Sequence, residues 1–506
     1  MAVNQLKAGA VLNYVILGLN ALVGLAYTPY MLRTLGQSEY GIYSLAAAII
    51  AYLSMLDLGF GNAVIRYTSK FRAEGKTDEQ YSMFGLFTML YSAIAVIVLI
   101  AGIILYFSLD SMFGDTLTAT ELQRTKVITL LMVFNLAVTF PLSIYGAIIT
   151  AYEDFIFLRV VQIVKILLNT AVMIALLAMG YKAIAMVVVH TVFNLVTLGL
   201  NFFYCRKKIR IKIHFSRPNI PFLKEIGIYS FWIFLNAIMD RIYWSTGQFV
   251  LGATSGTVAI SVFAVAIQLQ SMYMLFSGGI SGVFLPRITS MVAKNRSAKE
   301  ISDVFIKVGR IQYFILSLIL AGFIVFGQQF IRIWAGPGYE DSYIITLIFF
   351  ATLTIPLIQN MGIIILQARN QMKFRSLLYI VISFVSLACQ IPLAKAYGGI
   401  GCAISIGGAL LLGQGLIINI YYQKVQKIDI KRFWIEILRM SIVPILLTVV
   451  ALLITRYINL GNIESLVIAI FAFSALYIPL FCRFSMNDYE RNLFVSPFLK
   501  LFRINR

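Results

Sequence analysis

The stretch LGQSEYGIYSLAAAIIAYLSMLDLGFGNAVIRYTSK, residues Leu35–Lys70, contains the features that decide the fold of this chain. It begins with a Leu-Gly turn, continues through about twenty mostly apolar residues and ends in a basic cluster. One acid, Asp57, interrupts the apolar run. Because a charged side chain is costly in lipid, an acid at that depth is expected to face protein or water and to mark a functional part.

Apolar segments of this kind recur along all 506 residues, which are 60% hydrophobic and only 12% charged, with a mean hydropathy of +0.88. This composition predicts an all-α polytopic membrane protein. The first segment lacks a small-residue cleavage site and is long enough to span, so we interpret it as a helix. We place about fourteen spans, at residues 10–32, 41–63, 82–107, 127–150, 157–179, 183–204, 226–250, 257–285, 310–330, 343–366, 376–396, 399–422, 437–455 and 463–482.

The basic residues lie almost entirely on one side of these spans. With both termini on that side, it holds 30 of the 41 Lys and Arg residues, the other side holds seven, and four lie in or near spans. This asymmetry predicts cytoplasmic N- and C-termini. It also explains the net charge of +20 without nucleic acid as a partner. The four scattered cysteines indicate neither a disulfide framework nor a metal site.

The second half of the sequence repeats the first. An Arg-x-Thr-Ser motif at Arg66 recurs at Arg287, and the Pro-Leu pair at Pro141 recurs at Pro356 with almost the same offset. Each copy contains six spans and starts on the same side, which predicts two parallel, pseudo-symmetric six-helix bundles around a central cleft. The predicted division is a first lobe at 1–205, a basic cytoplasmic linker at 206–225, a second lobe at 226–423, and two extra helices with a basic tail at 424–506.

Span 5 carries four polar side chains, Arg159, Gln162, Lys165 and Asn169, within an arc of about 120°. One interpretation is a stripe that lines the cleft, with Lys165 contacting an anion. The alternative is a stripe that joins helices inside the first bundle. Arg159 lies near the cytoplasmic end and is also placed to snorkel.

Three further ionisable residues lie in predicted spans. Asp240 and Arg241 are adjacent in span 7 and point about 100° apart, so they need other partners, and Asp57 and Lys165 have the required signs. Salt bridges that only hold the bundle together are the alternative. His190 in span 6 is a titrating group or a hydrogen-bonded packing residue.

The sequence shows no Walker A motif, nucleophile elbow or HExxH motif, and we predict no catalytic and no metal-binding residues. A membrane polysaccharide polymerase or ligase remains an alternative, but it would need a larger outer loop than the one predicted at 108–126. A non-transporting scaffold is less compatible with the ionisable residues inside spans. Transport without covalent chemistry is the interpretation that remains.

Several motifs give the chain a family resemblance. They are LGxxEYGIYS from Leu35, LDLG at Leu56–Gly59, AYEDF at Ala151–Phe155, the Asp240-Arg241 pair and ISVFA at Ile260–Ala264. With these motifs the chain resembles the polysaccharide-repeat (O-antigen/capsule, Wzx-type) flippases of the multidrug/oligosaccharidyl-lipid/polysaccharide exporter superfamily. The resemblance covers essentially the whole chain.

The resemblance implies a two-lobed transporter in the bacterial inner membrane. Its cargo would be an undecaprenyl-pyrophosphate-linked oligosaccharide, moved from the cytoplasmic to the outer leaflet by alternating access coupled to H⁺ or Na⁺. Further expected partners are the lipid bilayer, a polysaccharide polymerase and chain-length proteins. A multidrug/cation antiporter of the same superfamily is the nearest alternative.

The resemblance also suggests roles for individual residues. Lys165 and Arg241 are the expected diphosphate contacts, because cations in a wet cleft replace the hydration that phosphate loses in the bilayer. Arg66 and Arg287 are expected cytoplasmic-side contacts, unless they are ordinary positive-inside charges. The acids Asp57 and Asp240 would hold these cations or respond to the coupling ion.

Overall fold

The computed structural model describes residues 5–215, 224, 227, 234, 238–281, 284–369, 371–458 and 460–492. Nearly all of these residues are helical, which confirms the predicted all-α membrane fold. The predicted span 7, the linker and the basic tail lie partly outside the described residues.

The chain forms two compact units, Met1–Ser261 and Val262–Arg506. The first contains α1 (Gln5–Leu53), α2 (Phe60–Ala73), α3 (Thr77–Phe113), α4 (Ala119–Ala151), α5 (Phe155–Ala178), α6 (Ala183–Tyr204) and α7 (Thr246–Thr254). After α8 (Gly256–Ser281), which crosses the boundary, the second contains α9 (Leu285–Ala293), α10 (Ala298–Trp334), α11 (Asp341–Ile358), α12 (Asn360–Ala368), α13 (Lys373–Leu410), α14 (Ile418–Lys424), α15 (Ile430–Thr455) and α16 (Ile463–Phe484). The boundary falls later than the predicted linker, and the four-part division of the sequence stays a prediction.

Eleven helical stretches among the described residues are long and apolar enough to cross a membrane. Two of them are unusually long, Val11–Ala73 with 63 residues and Lys373–Lys424 with 52. Each contains two predicted spans, which meet at a glycine of positive φ, Gly36 at 78° and Gly398 at 56°. Because glycine lacks a Cβ, it takes this conformation at little cost. The observed helices therefore agree with the prediction of about fourteen spans.

The second predicted span is interrupted at the acid that the sequence singles out. A short 3₁₀ turn, Ser54–Asp57, follows α1. Leu58 and Gly59 then take left-handed φ values of 53° and 69° before α2 begins. The span predicted at 41–63 is therefore not one continuous helix, because two consecutive left-handed residues cannot continue a right-handed helix.

The helix bounds repeat between the two units at nearly the offset of the Arg-x-Thr-Ser motif. α3 and α10 are both 37 residues long. The equivalent bounds are Thr77 and Ala298 at the starts of α3 and α10, Ala73 and Ala293 at the ends of α2 and α9, and Ala151 and Ala368 at the ends of α4 and α12. Each pair therefore occupies the same place in its own repeat.

The two helices that follow the second repeat, α15 and α16, complete the second unit. The rings of Phe314 and Phe481 lie 5.0 Å apart, centre to centre, and join α10 to α16. Ser317 and Tyr477 share a hydrogen bond of 2.8 Å in the same interface. Aromatic burial and a satisfied hydroxyl pair thus attach the last helix to the bundle.

Candidate functional site

The polar stripe of α5 forms as the sequence predicts, with all four side chains half-buried. Arg159 donates a hydrogen bond of 3.3 Å to Gln162, one turn further along the helix. Asn169 lies one turn beyond Lys165, and its amide nitrogen is 3.7 Å from the sulfur of Met173. The spacing of three or four residues places the stripe on one side of the helix.

Lys165 is held by a chain of neutral amides and a hydroxyl. Its Nζ donates to Oδ1 of Asn194 on α6 over 3.2 Å. The Nδ2 of Asn194 donates in turn to Oδ1 of Asn135 at 2.9 Å and to Oγ1 of Thr139 at 2.7 Å, both on α4. Because both amide hydrogens of Asn194 are used, its carbonyl oxygen is left to accept from the lysine. Three helices therefore fix the position of one ammonium group.

Several polar atoms around this ammonium remain unused. Lys165 has three donors, and one of them is engaged within the described part of the chain. The Asn135 amide nitrogen donates to none of the described residues, and the Asn169 Oδ1 is buried without a partner among them. Buried polar groups are normally satisfied. A ligand with anionic oxygens and hydroxyl groups would satisfy these atoms.

The charge of Lys165 is not cancelled by a neighbouring acid. Across residues 5–215 and the other described segments, no carboxylate lies within ion-pair distance of its ammonium. The ion pair considered between Lys165 and Asp240 is therefore not formed. His190 lies one turn before Asn194 on α6 and is close enough to interact with the lysine charge. A cation with a neutral partner is an electropositive group that an anion would complement.

Asp57 lies at the helix break rather than beside a cation. The hydroxyl of Tyr91 on α3 donates to its Oδ1 over 2.9 Å, and the backbone of Gly59 provides a second hydrogen bond. Tyr91 is fully buried and stacks on Phe140 at a centroid distance of 6.2 Å. The partner considered for it, Arg241, does not pair with it. Irregular backbone at membrane depth occurs where protein or water satisfies it, so this break is a second candidate site.

The other predicted residues are placed separately. Asp240 and Arg241 are exposed side chains on the helical residues 238–244. Arg66 is exposed on α2, with its guanidinium 5.6 Å from the ring centre of Tyr67. Arg287 is exposed on α9. Their roles as cargo contacts stay predictions.

The sequence interpretation misses Asn135, Thr139 and Asn194. The sequence pattern that could have identified them is a pair of polar residues four positions apart in an otherwise apolar span. Asn135 and Thr139 form one such pair, and His190 and Asn194 form another. Such pairs share one helix face. They indicate that a face is polar but not which other helix it meets.

Comparison with known proteins places the chain in a family. The family described as "Polysaccharide biosynthesis protein" matches residues 6–292. A relative in Escherichia coli (strain K12), named "Putative O-antigen transporter", is 25% identical over 79% of this chain and 93% of its own length. A Bacillus subtilis (strain 168) relative, "Uncharacterized membrane protein EpsK", is 20% identical over 79% of each chain.

Solved structures agree on the fold. The structure titled "Lipid II flippase MurJ, inward closed conformation" matches with a TM-score of 0.68 and 16% identity, over 93% of this chain and 98% of the other. An inward-facing MATE family multidrug transporter of the MOP superfamily matches with a TM-score of 0.59 and 14% identity, over 82% and 99% of the two chains. The predicted resemblance is thereby confirmed, and this transporter fold fits alternating access. The chain is a multi-pass membrane protein with the fold of these transporters, and it belongs to the polysaccharide biosynthesis protein family.

Proposed function

We propose that the chain moves a lipid-linked oligosaccharide, carried on undecaprenyl pyrophosphate, from the cytoplasmic to the outer leaflet of the bacterial inner membrane. The observation that carries this proposal is the Lys165 ammonium, which lies inside the helical bundle and is bound by the neutral Asn194 amide rather than by a carboxylate. A cation left unneutralised at that depth suits an anionic cargo. The names of the Escherichia coli relative and of the flippase MurJ support the same class of cargo.

The cargo chemistry matches the unused polar atoms. The diphosphate would accept hydrogen bonds from Lys165 and the Asn135 amide, and a sugar hydroxyl would donate to the buried Asn169 Oδ1. These contacts replace hydration that the headgroup loses on leaving water. The polyprenyl tail is apolar, so it has no hydration to lose and stays in lipid. Arg241, Arg66 and Arg287 would be further contacts of the headgroup.

An ion gradient would drive the cycle, with H⁺ or Na⁺ as the coupling ion. Asp57 is the strongest proposed coupling residue, because its carboxylate lies at a helix break and is bound by a hydroxyl rather than by a cation. Asp240 and His190 are further proposed coupling residues. Both termini would be cytoplasmic, and a polysaccharide polymerase and chain-length proteins would act on the flipped product.

The test is a pair of substitutions at one position. Lys165→Met removes the charge and keeps the length, and we expect export of the polysaccharide to fall about tenfold or more, since hydrogen bonds to charged groups contribute about 1.5–3 kcal/mol. Lys165→Arg keeps the charge and should retain most export. Lys424→Met, at an exposed helix end, serves as the control. The measurements are exported polymer, the lipid-linked intermediate that accumulates, and the amount of protein in the membrane.

Equal export by Lys165→Met and the control would contradict the assignment of Lys165. The second candidate, a multidrug/cation antiporter, is favoured by the intramembrane carboxylate of Asp57 and by the MATE fold. It predicts the reverse pattern: Asp57→Asn abolishes cation efflux, while Lys165→Met leaves it intact. Deleting the gene and identifying the accumulated lipid-linked sugar separates the two.

A further inference from the structure

A cavity of about 500 Å³ opens at the end of the first unit where α4 begins and α5 ends. Its charged lining residues are Glu39, Arg124 and Lys182, and its apolar lining includes Leu176, Ile184, Val188 and Val189. The charge asymmetry of the sequence assigns this end of the helices to the outer side of the membrane. The site is therefore separate from Lys165 and its amides.

The polar part of the cavity is preformed. Glu39, whose side chain is 5% exposed, pairs with Arg124 and accepts a hydrogen bond of 3.4 Å from the backbone nitrogen of Ala183. Arg124 uses one nitrogen for this pair and remains 44% exposed, so its other donors are open. Packing and hydrogen bonds thus hold one guanidinium at the opening in a defined position.

Lys182 supplies the charge that is not cancelled. Its side chain is exposed and forms no hydrogen bond or ion pair with any residue that the structure describes. One carboxylate and two cations leave the cavity with one net positive charge. A phosphodiester carries one negative charge and accepts hydrogen bonds from both arginine and lysine.

The apolar part of the cavity lies directly beyond these cations on α5 and α6. Its aliphatic side chains offer a surface for hydrocarbon and have no polar groups that need a partner. An anion without a chain would leave this wall uncovered, and a neutral lipid would leave Lys182 unpaired. A molecule that joins an anionic phosphate to a hydrocarbon chain uses both parts of the cavity.

We infer that this cavity binds an anionic phospholipid of the adjacent leaflet. Its phosphate contacts Arg124 and Lys182, and its acyl chain lies along α5 and α6. The site is separate from the proposed cargo contacts, because it shares no residue with the Lys165 network. It also places a lipid against the Glu39–Arg124 pair, which joins α1 to α4.

The experiment measures binding of phosphatidylglycerol to the purified full-length chain by native mass spectrometry, with phosphatidylcholine as the neutral lipid. We expect Lys182→Gln to weaken phosphatidylglycerol binding about fivefold, since a cation near a membrane surface contributes about that much. Ala185→Trp fills the cavity without changing charge and should weaken binding at least as much. Lys395→Gln, an exposed cation in the second unit, should bind as the unaltered chain does.

The inference is overturned if Lys182→Gln and Ala185→Trp both bind phosphatidylglycerol as tightly as the unaltered chain. Equal binding of phosphatidylcholine would also overturn it. If inorganic phosphate alone displaces the lipid, the site recognises a free anion and the lipid assignment is wrong. Elution of each variant as a single peak in gel filtration confirms that it folds.

Discussion

Two cations inside the helical bundles, Lys165 and Arg310, are held in opposite ways. Arg310 on α10 is 5% exposed and binds Glu490 through two hydrogen bonds of 2.5 and 2.8 Å and Glu436 through one of 2.6 Å. Lys165 has one neutral amide as its partner, Asn194. A cation paired with two carboxylates is neutralised and holds helices together, whereas a cation held only by an amide has no neutralising partner.

The two repeats differ at the positions of Lys165 and its polar neighbours. The repeats align so that Gly146 of the first corresponds to Gly362 of the second. At the same offset, the counterparts of Asn135, Thr139, Lys165 and Asn194 are Ala351, Ile355, Val381 and Leu410. All four polar positions of the first unit are thus apolar in the second. The repeat keeps the 37-residue length of α3 and α10, but the second unit has no counterpart of the polar residues around Lys165.

The largest expected effect is on stability, from Arg310→Met. This change leaves Glu490, which is 1% exposed, and Glu436 without their cation. Removing one partner of a buried ion pair costs about 3–5 kcal/mol. Arg432→Met removes an exposed pair with Asp303 and should cost about 1 kcal/mol or less. Thermal unfolding in detergent measures both losses of stability. Equal losses would contradict the stabilising role of the buried Arg310 pairs.

An intermediate effect is expected from Asn194→Asp, which gives Lys165 the kind of partner that Arg310 has. We expect the charge to be neutralised and transport to fall about tenfold, with little loss of stability. Asn194→Ala removes the hydrogen bond without adding an acid and should reduce transport less. If the two variants transport equally well, neutralisation of Lys165 is not what matters.

The smallest expected effect is from Thr139→Val, which removes one hydroxyl that positions Asn194. The loss of one neutral hydrogen bond is worth about 1 kcal/mol, or about a fivefold change in transport. Thr197→Val is the matched control, because the hydroxyl of Thr197 bonds to the backbone of its own helix. A difference between the two variants in transport assays, at equal protein level, would show that the α4 contact orients the amide.

The sequence predicts much of the fold because hydropathy is a local property. Span positions follow from apolar length, and the repeat follows from motifs such as Arg66 and Arg287 at a constant spacing. Hydropathy could not predict the helix break at Asp57, because an apolar segment has the same hydropathy whether or not two left-handed residues interrupt its helix. Lys165 could be singled out because a cation inside an apolar span is rare.

By itself the sequence determined the class of protein, the approximate number and order of its membrane spans, and the residues whose charges need an explanation. Tertiary structure decided which of those charges are neutralised. The partner of Lys165 lies 29 residues away in the sequence. Glu490, the carboxylate with the shortest hydrogen bond to Arg310, lies 180 residues away. Helices that are apolar almost throughout associate through packing and a few polar contacts. Hydropathy is uniform along such helices, so it cannot indicate which polar faces will meet.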